Sequence, residues 1–74
     1  MPKFYSSNHI VKILLFYGFE FIYQKGSHQK YRKLGNPTLT VIVPAGRKII
    51  PYGTFRSIVK QSGSLEKDFE YLCP

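Results

Sequence analysis

One cysteine, at position 73 of a 74-residue chain, sets the strongest limit on what this sequence can build. With no second thiol there is no intrachain disulfide and no cysteine-based zinc site, so a small domain must hold itself together by its apolar core. A chain of this size buries only about 60% of the surface its unfolded form exposes, which makes the core composition decisive. Six Phe and six Tyr must supply much of it. One domain spanning residues 1–74 is all the length allows. The lone thiol fits a reducing compartment, and with no adjacent cation to lower its pKa, Cys73 is expected to be inert. The longest apolar run, Ile13 to Tyr17, falls far short of the roughly 20 residues of a membrane span. No signal-peptide pattern opens the chain, so a cytoplasmic protein without membrane association is expected.

Hydrophobic spacing gives the order of elements. Ser6, Ser7 and Asn8 supply capping side chains, and Ile10, Val11, Ile13, Leu14, Leu15 and Tyr17 follow at helical spacing until Gly18. Phe19 to Gln24 and His28 to Lys33 read as strands of a hairpin around Lys25-Gly26-Ser27, and Gly35-Asn36-Pro37 turns the chain into a third strand, Thr38 to Val43. Pro51 suits the first turn of a second helix that turns Phe55, Ile58 and Val59 inward and closes at Gly63. Ser64 is placed to cap a short final helix with Leu65, Phe69 and Leu72 on one side. This is an α+β order: helix, three-stranded antiparallel sheet, helix, with both helices on one face.

Period two assigns the faces. Tyr31, Leu39, Val41 and Val43 should meet the helices, leaving His28, Lys30, Arg32, Thr38, Thr40 and Ile42 on the opposite face. In strand one we expect Phe19, Phe21 and Tyr23 to point inward.

Charge narrows the partner. Eleven Lys and Arg against four Asp and Glu give a net charge of +7. Glu66, Asp68 and Glu70 lie in the tail, so Glu20 is the one acid among residues 1–65. A polyanion is the natural ligand, nucleic acid first, with anionic membrane or an acidic protein as alternatives.

Within that basic body His28 follows Gly26-Ser27 at the hairpin tip, among Lys25, Lys30, Arg32 and Lys33. An imidazole exchanges protons near neutral pH and the cations suit a phosphate, which makes His28 a candidate general base or acid. On the residues alone an ordinary solvent-facing strand residue is the favoured reading. Arg47 and Lys48, in a loop from Ala45 to Ile50, are either a solvated turn or a second phosphate contact. Ser27 shapes the turn or donates to phosphate. His9 reads as structural, Arg56 and Lys60 as exposed helix charges, and Tyr5, Tyr52 and Tyr71 as core aromatics. No carboxylate cluster outside the tail supports a metal site, and no glycine-rich phosphate loop supports a nucleotide cofactor, so no cofactor is expected.

These segments together resemble the HicA-type toxins, the mRNA-cleaving members of toxin-antitoxin pairs. The carriers are Gly18-Phe19, Gln24-Lys25-Gly26-Ser27-His28, Tyr31, Val43-Pro44 and the stretch from Gly53 to Gly63. The resemblance covers nearly the whole chain. It implies a fold like the double-stranded RNA-binding domain, His28 as the catalytic residue, mRNA as substrate and a HicB-type antitoxin as partner. One departure stands out: relatives carry a further histidine shortly after the Val-Pro pair, where this chain has Ala45-Gly46-Arg47. The function implied is a metal-independent endoribonuclease, with Lys25, Ser27, Lys30, Arg32, Lys33, Arg47 and Lys48 as the RNA-binding set. The alternatives are a non-catalytic basic RNA-binding module of the same fold and a domain whose basic face meets an acidic protein.

Overall fold

A computed structural model describes residues 5–70. Helix α1 (Ser7–Phe16) is followed by strands β1 (Glu20–Lys25), β2 (His28–Lys33) and β3 (Leu39–Pro44), helix α2 (Tyr52–Ser62) and a single 3-10 turn (Glu66–Phe69). The strands form an antiparallel meander in the order β1-β2-β3. Both helices cover one face of it, so that α1, the sheet and α2 share one apolar core.

The helix ends follow the capping chemistry in the sequence. Ser6 is the N-cap of α1, its hydroxyl accepting from the His9 N–H at 3.1 Å. The helix ends at Tyr17, and Gly18 takes a φ of 95° that a side chain would resist. Ile10, Ile13 and Leu14 are buried, whereas Leu15 is half exposed, so the apolar stripe is narrower than the sequence suggests. Pro51 is the N-cap of α2, just outside its first turn, and Gly63 closes the helix in the left-handed conformation at φ 69°.

The faces of β2 and β3 alternate as expected. Tyr31 stands opposite Val41, both buried, and Lys30 stands opposite Ile42 on the outer face. Burial raises the Tyr31 phenol above its ordinary pKa by desolvation, so it stays neutral in the core.

Strand β1 departs from expectation. Phe21 pairs with Tyr31 but Tyr23 pairs with Lys30, which leaves Ile22 as an extra residue in a bulge. Alternation therefore breaks at Ile22. Phe19 is buried ahead of the strand, Phe21 lies at the sheet margin with its ring edge-on to Tyr31 at 5.6 Å, and Tyr23 turns to the outer face. There the Lys30 ammonium sits 5.4 Å from its ring centroid.

The tail also differs. Its helix is one 3-10 turn capped at Leu65, not at Ser64, and the Leu65 N–H donates to Asp68 Oδ2 at 2.8 Å. Phe69 is fully buried, packing edge-on to Phe55 at 5.6 Å, while Leu65 is mostly exposed. His9 has the structural role expected of it: it stacks on Tyr5 and its Nε2 lies 2.7 Å from the Phe69 carbonyl oxygen, tying the tail to α1. Tyr5 is buried as expected, but Tyr52 is exposed and not a core aromatic, its hydroxyl turned to Glu66 at the surface. Tyr71, Leu72 and Cys73 lie outside the described residues.

Candidate active site

The hairpin tip is built from two residues. Lys25 and His28 are cross-strand partners, and between them Gly26 adopts a φ of 59°, the first central position of a type II′ turn. His28 is thereby fixed at the start of β2, opposite Pro44 of β3. Its side chain is exposed and has no hydrogen-bond partner among the described residues. A free imidazole at a rigid strand end is available for proton exchange with a ligand.

The basic loop is stitched down beside it. Ala45 N–H donates to the Ser27 carbonyl at 2.6 Å, joining the loop to the hairpin tip. Ser7, buried at the start of α1, then clasps the loop at three points. Its N–H donates to the Arg47 carbonyl at 2.9 Å, its hydroxyl accepts from the Arg47 N–H at 2.9 Å, and the same hydroxyl donates to the Pro44 carbonyl at 2.6 Å. Farther along, Ile50 N–H donates to the Tyr5 carbonyl at 2.8 Å. The loop is thus an ordered part of the site, and Ser7 sets where Arg47 starts.

These elements enclose a cleft of roughly 340 Å³ on which Ser27, His28, Pro44 and Arg47 converge from one side. The other wall is α2, which contributes Thr54, Ser57, Ile58 and Gln61, with Ile42 of β3 between. Helix α2 starts without a side-chain cap and without an acid in its first turn, so the positive end of its dipole is uncompensated near Thr54.

Of the residues singled out in the sequence, Ser27, His28 and Arg47 meet in this cleft. Lys25 adjoins His28 across the hairpin. Lys30 and Arg32 share its sheet face but lie farther along the strand, Lys30 over Tyr23 and Arg32 opposite Glu20. Lys33 faces the other way, its stem beside Gly18 at the end of α1, and Lys48 is exposed in the loop. Arg56 is turned to the far side of α2, 3.9 Å from Glu66. That carboxylate also accepts from the Tyr52 hydroxyl at 3.0 and 3.1 Å, a hydrogen bond that raises the phenol above its ordinary pKa. No group of three potential metal ligands occurs among the described residues.

Sequence reasoning missed Ser7 and the α2 wall. Ser7 looked like one of three equivalent caps, and nothing local marks a serine that bonds 37 and 40 residues away. Thr54, Ser57 and Gln61 did carry a signal, since spacings of three and four put them on one helical stripe beside the buried Ile58.

The clasp makes a prediction. Ser7→Ala leaves the Pro44 carbonyl and the Arg47 N–H without their partner in a partly buried position, at an expected cost of about 1–3 kcal/mol. Faster hydrogen exchange at the Arg47 amide should accompany it. Unchanged protection of that amide would show that something other than Ser7 holds the loop.

Fold and site define a basic helix-sheet-helix domain with one exposed histidine in a cleft between hairpin, loop and second helix. The family described as HicA toxin of bacterial toxin-antitoxin systems matches residues 7–64, most of the chain, and the protein belongs to that family. No curated protein matches the chain. Membership makes the role that of a toxin with a cognate antitoxin partner. No helix among the described residues is long and apolar enough to cross a membrane.

Proposed function

We infer that this toxin is a metal-independent endoribonuclease acting on mRNA, with His28 as its proton-transfer group. The observation that carries the reading is the convergence of His28, whose imidazole has no partner among the described residues, and Arg47 on one cleft held by an ordered loop. RNA brings its own nucleophile. His28 removes the proton from a ribose 2′-hydroxyl, the oxygen attacks the adjacent phosphorus, and the bond to the 5′-oxygen breaks. The leaving oxygen takes a proton from the imidazolium or from water, giving a 2′,3′-cyclic phosphate and a 5′-hydroxyl end. Arg47 stabilises the charge that develops on the phosphate, a task for which a permanently charged guanidinium suits better than a proton carrier.

Lys25, Lys30, Arg32, Lys33 and Lys48 have a different part. They lie outside the cleft walls, so they serve as backbone-phosphate contacts that hold the strand without entering the chemistry. Their place outside the cleft walls also favours the second reading, a basic RNA-binding module, in which affinity falls steeply with salt and no strand is cut. Ser27, at the turn, is placed to donate to the phosphate beside His28.

The test is single-stranded RNA against DNA of the same sequence, both in excess EDTA. We expect the RNA to be cut to cyclic-phosphate ends and the DNA, lacking the 2′-hydroxyl, to survive. Loss of RNA cleavage on chelation, or equal cutting of DNA, would reject the mechanism.

A further inference from the structure

The α2 wall of the cleft is not used by the chemistry just described, and its polar groups are arranged asymmetrically. Gln61 Oε1 accepts the Ile42 N–H at 3.1 Å, from the edge strand β3. That bond fixes which end of the carboxamide faces which way. The oxygen is turned to the strand edge, so the Nε2 end of this cleft-lining residue keeps two donors with no partner among the described residues. Beside it Ile42 and Pro44 give an apolar surface, with Ile58 buried behind them, and at roughly 340 Å³ the space lies at the small end of ligand pockets. It suits one unstacked base and not a duplex.

We propose that this wall is a nucleobase subsite next to the cleaved phosphate, with Gln61 as a specificity-determining residue that donates from Nε2 to a base edge carrying acceptors. The proposal rests on the ribonuclease reading for its neighbour, the scissile phosphate, but not for its own geometry. An amide free to use both ends pairs with adenine, accepting from N6 and donating to N7. Gln61 has its oxygen engaged by Ile42, so adenine would turn an amino group toward a donor. Guanine offers N7 and O6, both acceptors, on the corresponding edge. The expected preference is therefore guanine over adenine, in a single strand whose base is free to leave its stack.

Gln61→Glu is the informative substitution because it keeps the bond to β3. One carboxylate oxygen still accepts from the Ile42 N–H, while the donor facing the cleft becomes an acceptor. Binding of non-cleavable 2′-O-methyl hexamers, differing only in guanine or adenine at one scanned position, should favour guanine by about 5- to 100-fold at one position in the wild type. In Gln61→Glu the preference should vanish or reverse, with the melting temperature unchanged. Equal binding of the two hexamers by the wild type at every position, or a guanine preference that survives the substitution, overturns the subsite. Unmodified hexamers of the same sequences are offered in parallel. If the wild type cuts none of them, the ribonuclease reading fails on its own, and the base subsite is still decided by the binding ratios.

Discussion

His28→Ala is expected to reduce RNA cleavage by about 10²- to 10⁴-fold while leaving the fold and most of the RNA affinity in place. The size follows from what an imidazole supplies: without it the 2′-hydroxyl must lose its proton to water, a loss of roughly 3–5 kcal/mol of transition-state stabilisation. The small effect on stability follows from exposure. The side chain is exposed and makes no hydrogen bond among the described residues, so its removal leaves no cavity and no stranded polar group. Affinity should also hold, because docking draws on the cations of the basic surface. His28→Gln sharpens the test. It keeps a polar side chain of similar reach but cannot exchange a proton, so it should be as inactive as the alanine variant. The measurement is single-turnover cleavage of labelled single-stranded RNA in EDTA, beside circular dichroism and equilibrium binding. Cleavage within about threefold of wild type in either variant would remove His28 from the chemistry, and equal binding without any cleavage by the wild type would favour the RNA-binding module.

The position of Arg47 bears on how much activity to expect in the first place. After the Val-Pro pair this chain has Ala45-Gly46-Arg47 and no second histidine, and the charged residue that the loop brings to the cleft is Arg47. A guanidinium does not relay protons near neutral pH. On the ribonuclease reading proposed above, His28 acts as base and returns the proton itself, or leaves that step to water, and slow turnover is the expected result. The ordered loop partly offsets this, since Ser7 and Ser27 hold its backbone and little conformational freedom is lost when the phosphate binds.

How far the sequence reveals this arrangement depends on the range of the interactions. Local signals read well: the Ser6 cap, the stops at Gly18 and Gly63, the β2 boundaries and the alternation of Tyr31, Val41 and Val43 all rest on contacts within a few residues or on strict periodicity. The bulge at Ile22 was not legible, because the four residues from Phe19 to Tyr23 other than Glu20 are all apolar and no polar residue marks the slip. The site divides along the same line. His28 and Arg47 announce themselves by residue type, whereas Ser7 and Gln61 act through hydrogen bonds that span 40 and 19 residues. Which cations stand near His28 was likewise a matter of register, and only the paired strands separate Lys25 from Lys33.

Phe69→Ala should be the most destabilising of the substitutions considered, at about 3–5 kcal/mol. Nothing in the family match anticipates this, since the match ends at residue 64 and Phe69 lies beyond it. The structure nevertheless puts its ring wholly inside the core, edge-on to Phe55, while its carbonyl oxygen meets His9. For a 74-residue domain the whole stability is expected to be about 4–11 kcal/mol, so losing this one ring consumes a large part of it. At roughly 4–8 °C per kcal/mol, the melting temperature should fall by at least about 12 °C. Leu65→Ala, five residues upstream of Glu70 in the same tail but mostly exposed, is the matched control and should change stability by no more than about 0.5 kcal/mol. Calorimetric melting of the two variants beside wild type makes the comparison. A loss below about 1 kcal/mol for Phe69→Ala would mean that the tail does not pack on the domain in solution, and the stacked Tyr5 and His9 would then have to close the core without it. The expected large loss would instead make the 3-10 turn a structural part of the toxin, one that lies across α1 and α2 and steadies the helix carrying Gln61 against the sheet edge.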